Sequence, residues 1–207
     1  MRRGFPEPPP RRSRRRPWRD VEFASLDFET TGLDPQRDEV VSFGVVPIRR
    51  GRVAVGDHVY REISPAVRPS PRSVTVHGLR QADLDRAPGM DAARGVLRAV
   101  LDRRYIVAWA AEIEAAFLAR TFGGSRRWWR RHIVDARLLA RLLERSDRAG
   151  AGTSYALSHA AARFGVPVHS PHDALDDALT TAEVFLVVAT RLSQPRPRTA
   201  RWLLRAG

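Results

Sequence analysis

The stretch ASLDFETTGLD, residues 24–34, constrains this chain more than any other. An apolar run that reads as a β-strand ends in two carboxylates, Asp27 and Glu29, two positions apart. Side chains at i and i+2 of a strand point to one face, so the two acids form a like-charged pair. Such a pair is unfavourable unless something positive lies between its members. The turn signal TTGLDP follows at once. It puts the pair at the C-terminal end of the strand, where open α/β sheets bind ligands. A divalent cation held by hard carboxylate oxygens, Mg²⁺ or Mn²⁺, meets that requirement. Taken alone, the motif has a plainer reading in which Glu29 only caps the turn, so other ligands must come from elsewhere in the chain.

The stretch SPHDALDDALTTAEVF, residues 170–185, is the second informative one. His172 precedes a long helical pattern, and Asp177 lies inside its first turns. Five residues span about 140° of a regular helix, so His172 belongs to the loop that enters the helix. There it faces a substrate while Asp177 reaches a metal from the helix surface. A histidine at such a place is a general base suited to neutral pH. Asp173 and Asp176 read more simply as acids that favour a helix N-terminus.

The order of elements predicts an α/β layer fold with a mixed sheet. VEFASLDF is a strand, and EVVSFGVVPIRRGRVAVGDHVYREI reads as two more joined by a turn at Arg49–Arg52. SPAVRPSPRSVTVHGL is a Pro-rich loop ending in a turn at His77–Gly78. Then come a helix (DAARGVLRAVLDR), a short buried strand (YIVAWA), a helix (EIEAAFLARTFGG), a strand (RHIVDA) and a helix (ARLLARLLER). A GAGTS loop leads to the helix SYALSHAAARFG and the long final helix ALDDALTTAEVFLVVATRL. Three antiparallel strands followed by two parallel ones give a five-stranded sheet flanked by helices. Residues 21–191 form the domain. Residues 1–20 are expected to be a disordered Arg/Pro-rich tail, and 192–207 a loose C-terminal tail.

The chain has 207 residues and 43% hydrophobic composition, enough for one core. It contains no cysteine, which removes disulfides, thiolate metal sites and cysteine nucleophiles. No apolar segment is long enough to span a membrane, and the N-terminus lacks the apolar centre of a secretory signal. A cytoplasmic protein is expected. The formal net charge of +13 suits polyanions, nucleic acid above all. All 36 basic residues are Arg, a bias that base composition of a gene alone can produce. About +6 of the charge lies in residues 1–20, which read either as a solvated tail or as a nonspecific nucleic-acid arm.

LDFETTGLD followed far downstream by HDALDDALTTAEVFL resembles the DnaQ-like, DEDDh family of 3′-5′ exonucleases. The resemblance covers residues 21–191 and includes RDEVVSFGVVPIRRGRV, VTVHGL, RHIVDARLLAR and YALSHAAARFGVPV. It implies a ribonuclease H-like fold and two-metal hydrolysis of phosphodiester bonds at the 3′ ends of single-stranded DNA or RNA. By the same resemblance Asp27, Glu29 and Asp177 are ligands of two Mg²⁺ or Mn²⁺ ions, and His172 takes a proton from the attacking water. Thr30, Thr31, Gly32 and Leu33 resemble the part that holds the 3′-terminal nucleotide. A polymerase or another replication or repair protein is an implied partner.

One motif departs from the family. WAAEIEAAFLAR stands where the family has a His-Asn-Ala-x-Phe-Asp run, so Glu114 occupies the place of a metal-associated Asp. Glu112 is the other candidate but sits off that register. Glu114 keeps the carboxylate and adds about 1.5 Å of reach, an offset that can cost orders of magnitude in a two-metal site. A catalytically weak or inactive module that binds nucleic-acid ends or a polymerase is therefore the alternative reading. Trp109 either stacks on a base or packs in the core. GGSRRWWRRH, residues 123–132, reads equally as a nucleic-acid contact and as a basic loop whose tryptophans pack inward. Asp135 reads as structural, His77 as a locally hydrogen-bonded turn residue, and Asp38 and Glu39 as solvated charges.

Overall fold

The computed structural model describes residues 4–146 and 156–207, apart from the side chain of Ser146. The expected GAGTS loop lies outside the described residues. In chain order the strands are β1 (Phe23–Thr30), β2 (Val40–Arg49), β3 (Arg52–Val53), β4 (Val59–Glu62), β5 (Tyr105–Ala108) and β6 (Ile133–Asp135). The α-helices are α1 (Pro71–His77), α2 (Gln81–Leu84), α3 (Met90–Leu101), α4 (Ala111–Phe122), α5 (Arg126–Arg130), α6 (Ala136–Ser146), α7 (Leu157–Phe164), α8 (Ala174–Leu192) and α9 (Ala200–Ala206).

The sheet runs β3-β2-β1-β5-β6, with β4 also paired to β2. β1 is antiparallel to β2 and parallel to β5, and β6 extends the parallel part. The third strand of the sequence reading is thus broken in two by a 3₁₀ turn at Val55–Asp57, and the mixed α/β class stands. Each face of the sheet buries its own core. Phe23, Tyr105, Val107 and Val134 point to the face covered by α6, α7, α8 and α9. Leu26, Phe28, Val45 and Ile106 point to the face covered by α3, α4 and α5. The alternation along β1 follows from the strand's period of two. It leaves Asp27 and Glu29 on the same side as Phe23, toward α8.

The structure corrects the reading of both termini. Residues 4–20 pack on the domain. Phe5 stacks on Trp129 at 4.9 Å between ring centres. Two short 3₁₀ helices, Arg11–Arg15 and Trp18–Asp20, carry the chain onward. Trp18 is 2% exposed, and its indole N–H donates to Ser193 Oγ at 3.0 Å. The Ser13 hydroxyl shares a hydrogen bond with Tyr105. At the other end α9 buries Leu203, and Ala200 N donates to Arg16 O. A few large aromatic and aliphatic side chains anchor these segments despite their Arg- and Pro-rich composition, because one fully buried Trp outweighs several solvated arginines.

Helices α1, α2, α5 and α9 are absent from the sequence reading. α1 does carry a start signal in the sequence. The Ser70 side chain accepts from Ser73 N, Pro71 sits in the first turn, and Gly78 closes the helix at φ 76°. Its shortness and its prolines masked it.

Candidate active site

Two backbone features aim the acidic residues. A β-bulge falls between Glu29 and Thr30, where the register against β2 jumps from Ser42 to Val40. Such bulges re-aim side chains at strand ends. Opposite Asp27 in β2 stands Gly44. A Cβ there would lie 2.1 Å from the carbonyl oxygen of Ala174 and 2.4 Å from the Cα of Leu175. The missing side chain lets the first turn of α8 cross directly over the sheet and lowers Asp177 onto the carboxylates of β1.

At that crossing Glu29, His172 and Asp177 each offer a ligand atom within 4.8 Å of the others. His172 lies in the turn before α8, exposed, at φ 64°. Its backbone N–H donates to Asp177 Oδ2 at 3.1 Å. A non-glycine residue in the left-handed region costs conformational energy and concentrates at functional sites. Asp173 caps α8 by accepting from Leu175 N and Asp176 N, and its charge acts on the same cluster.

Asp27 lies outside the tightest trio but inside the same field. Burial, then Glu114, Glu29 and Asp177, hold its carboxyl well above the ordinary range. Glu29 is pushed up to about 8 by burial, with Asp177 and Asp173 adding repulsion. Glu114 is 4% exposed and also pushed up to about 8 by burial, which outweighs the lowering by its own backbone hydrogen bond and by Arg137; Asp135 and Glu29 add smaller repulsion. Asp177 is raised by burial against the opposing effect of the His172 N–H. Glu114 Oε2 is buried with no hydrogen-bond partner. Four acids whose pKa values are all raised, chiefly by burial, one of them with an orphaned oxygen, form a donor set that fits hard divalent cations.

The neighbouring acids divide cleanly. Glu112 is exposed and pairs with Arg126 and Arg130 at 2.9 and 3.1 Å. Asp135 is buried and accepts from Ala111 N and Leu138 N, fixing the starts of α4 and α6. Trp109 is half-buried against the core on the α8 side. Trp129 is 2% exposed and Trp128 half-buried, so the tryptophans of residues 123–132 pack inward, while the flanking Arg126, Arg127 and Arg131 stay exposed.

The loop after β1 is braced on all sides. Thr30 Oγ1 donates to Gly32 O, Thr31 Oγ1 donates to Asp38, and Glu39 N donates back to Thr31 Oγ1. A Cβ at Gly32 would lie 2.5 Å from the Asp38 carboxylate and would push that side chain off Thr31 and Asp34 N. Leu33, 72% exposed, stands out from the loop beside the site. Asp38 and Glu39 are structural, contrary to the solvated reading. Glu39 accepts from Ala66 N and pairs with Arg120 of α4 at 3.0 Å. Arg120 also donates to the carbonyls of Pro35 and Asp38. His77 accepts from Leu79 N, and burial lowers its pKa.

Residues 25–185 match the family described as Exonuclease (RNase T). The chain belongs to the exonuclease family. The sequence resemblance to DnaQ-like enzymes and this match agree. The exonuclease domain is 33% identical over 172 residues to the PolC-type DNA polymerase III of Thermotoga petrophila, covering 79% of this chain and 12% of that protein. It is 30% identical to a DNA polymerase III subunit epsilon-like protein of Rhodobacter capsulatus, over 79% of this chain and 23% of that one. The chain therefore spans less than a quarter of these curated relatives. Among solved structures, exonuclease I superposes with a TM-score of 0.71 at 18% identity, over 82% of this chain and 41% of that one. Exonuclease X in complex with 5′ overhanging duplex DNA gives 0.66 at 19% identity, over 89% and 98%. These likenesses support the ribonuclease H-like fold. No helix among the described residues is long and apolar enough to cross a membrane.

Proposed function

We propose that this domain is a metal-dependent 3′-5′ exonuclease that removes nucleotides from single-stranded DNA or RNA ends. The observation that carries the reading is the convergence of Glu29, Asp177 and His172 within 4.8 Å, beside Asp27 and the orphaned oxygen of Glu114. Asp27, Glu29, Glu114 and Asp177 would hold two Mg²⁺ or Mn²⁺ ions. Bound divalent ions supply Lewis acidity and neutralise charge on the phosphodiester. His172, exposed at the rim, accepts the proton of the attacking water, and its main chain is held in place by the backbone N–H that donates to Asp177. Thr30, Thr31, Gly32 and Leu33 form the wall against which the terminal nucleotide rests. The relatives named above as DNA polymerases support a polymerase or repair partner.

Degradation of 5′-labelled single-stranded DNA and a matched RNA, with Mg²⁺ or Mn²⁺, tests this. A ladder shortening from the 3′ end, abolished by chelator and by Asp27→Ala, is the expected result. Binding without shortening under both metals would overturn the enzyme reading in favour of an end-binding module.

A further inference from the structure

We infer that a groove lined by Arg126, Arg127, Arg130, Arg131 and Arg205 binds the phosphodiester backbone of nucleic acid away from the end held at the carboxylates. The groove has a volume of about 470 Å³, and Glu112 is the one acid among its lining residues. Arg126 and Arg130 are paired with Glu112. Arg127, Arg131 and Arg205 are exposed and make no ion pair among the described residues. Arg14 reaches the same edge by donating to Arg131 O. Five arginines that share one carboxylate repel one another, and a bound polyanion relieves that repulsion. Guanidinium forks match phosphate oxygens in pairs.

The groove and the carboxylate cluster flank the N-terminus of α4. Glu112 and Glu114 lie two residues apart on α4, about 200° around the helix, so the groove and the cluster occupy opposite sides of one helix N-terminus. Asp135, whose charge acts on Glu114, binds Ala111 N at that N-terminus. The backbone of Gly207 lies against Asp135, and its carbonyl accepts from Arg130. A strand whose 3′ end rests at Asp27 and Glu29 would reach the groove by passing round the N-terminus of α4, a helix about 10 Å across. The phosphates could belong to the same strand upstream of its end or to the complementary strand of a recessed duplex.

The inference rests on the nuclease reading for its geometry, but its test is independent of hydrolysis. Binding of 5′-labelled oligonucleotides of about 4 and 16 nucleotides is measured by anisotropy in chelator across a salt series. R127Q/R131Q/R205Q is compared with R50Q/R52Q/R61Q, which removes equal charge from the β3–β4 edge of the sheet. The groove variant should lower the slope of log affinity against log salt by about 2, at roughly 0.7 per single-strand phosphate contact. The loss should be larger for the longer oligonucleotide. A parallel series on a recessed duplex separates the sources, since the substrate with the greater loss carries the contacting strand. Equal slopes for the two triple variants, or equal loss at both lengths, would overturn the groove. A failure to shorten any substrate would bear on the hydrolysis reading and leave these slopes unaffected.

Discussion

Glu114 concentrates the electrostatic tension of the site. It is buried, raised to about 8, and has an oxygen without a partner. The isosteric Glu114→Gln removes the charge and keeps the shape. Expected are a loss of metal-supported hydrolysis of at least about 100-fold and a higher Tm for the metal-free protein at pH 8. Unchanged hydrolysis would remove Glu114 from the ligand set. The same shifts predict a pH trend. Glu29 and Glu114 have folded-state pKa values above their ordinary 4.5, at about 8, so the folded state binds more protons than the unfolded one between those values. Metal-free stability therefore falls as pH rises from about 5 to 8. Added Mg²⁺ or Mn²⁺ should raise Tm more at pH 8 than at pH 6, because the ions bind the deprotonated acids. Thermal melts with and without chelator check both signs. A flat metal-free profile would contradict the buried, mutually repelling acids.

At the scale of elements, the decisive contact is α8 across β2 at Gly44. Gly44→Ala places a methyl 2.1 Å from a backbone oxygen of Ala174, and backbone cannot swing aside as a flexible side chain does. Overpacking of this kind costs about 1–3 kcal/mol, and the displaced helix carries Asp177 with it. Chemical denaturation and hydrolysis should fall together in this variant. A stable, fully active Gly44→Ala protein would mean that the crossing tolerates a shift. The strut from Arg120 to Glu39, Pro35 and Asp38 joins α4 to the loop after β1. Arg120→Met keeps the stem and removes the donors. It should raise KM more than it lowers kcat, since the loop resembles the nucleotide-holding part and carries no acid of the cluster.

For the whole molecule, the N-terminal segment is the surprise. Trp18→Ala should destabilise by about 3–5 kcal/mol, read from urea unfolding, because the indole is fully buried and bonded to Ser193. Stability within about 0.5 kcal/mol of the parent would show that the segment rests on the domain without supporting it. The sequence by itself determined much: two acids with a period of two at a strand end, a histidine and an acid entering a long helix, and the alternation of strands and helices that gives the mixed sheet. These are local patterns, and neighbouring residues set them. The register of the following AAFL favours Glu114 over Glu112 in the family's place, and in the fold Glu114 is buried while Glu112 is exposed. Tertiary structure alone decided the rest. Gly44 matters because α8 happens to cross it, Gly32 because Asp38 folds back on it, and Asp38 and Glu39 because Arg120 and Ala66 N come to them from elsewhere in the chain. Arg205 lies 74 or more positions from Arg126, Arg127, Arg130 and Arg131 in sequence, yet all five line one groove. Composition makes residues 1–20 look unable to fold, and Phe5 and Trp18 find their partners only across long sequence separations. Pairings of that range depend on loop closure and packing, which no short window of sequence encodes.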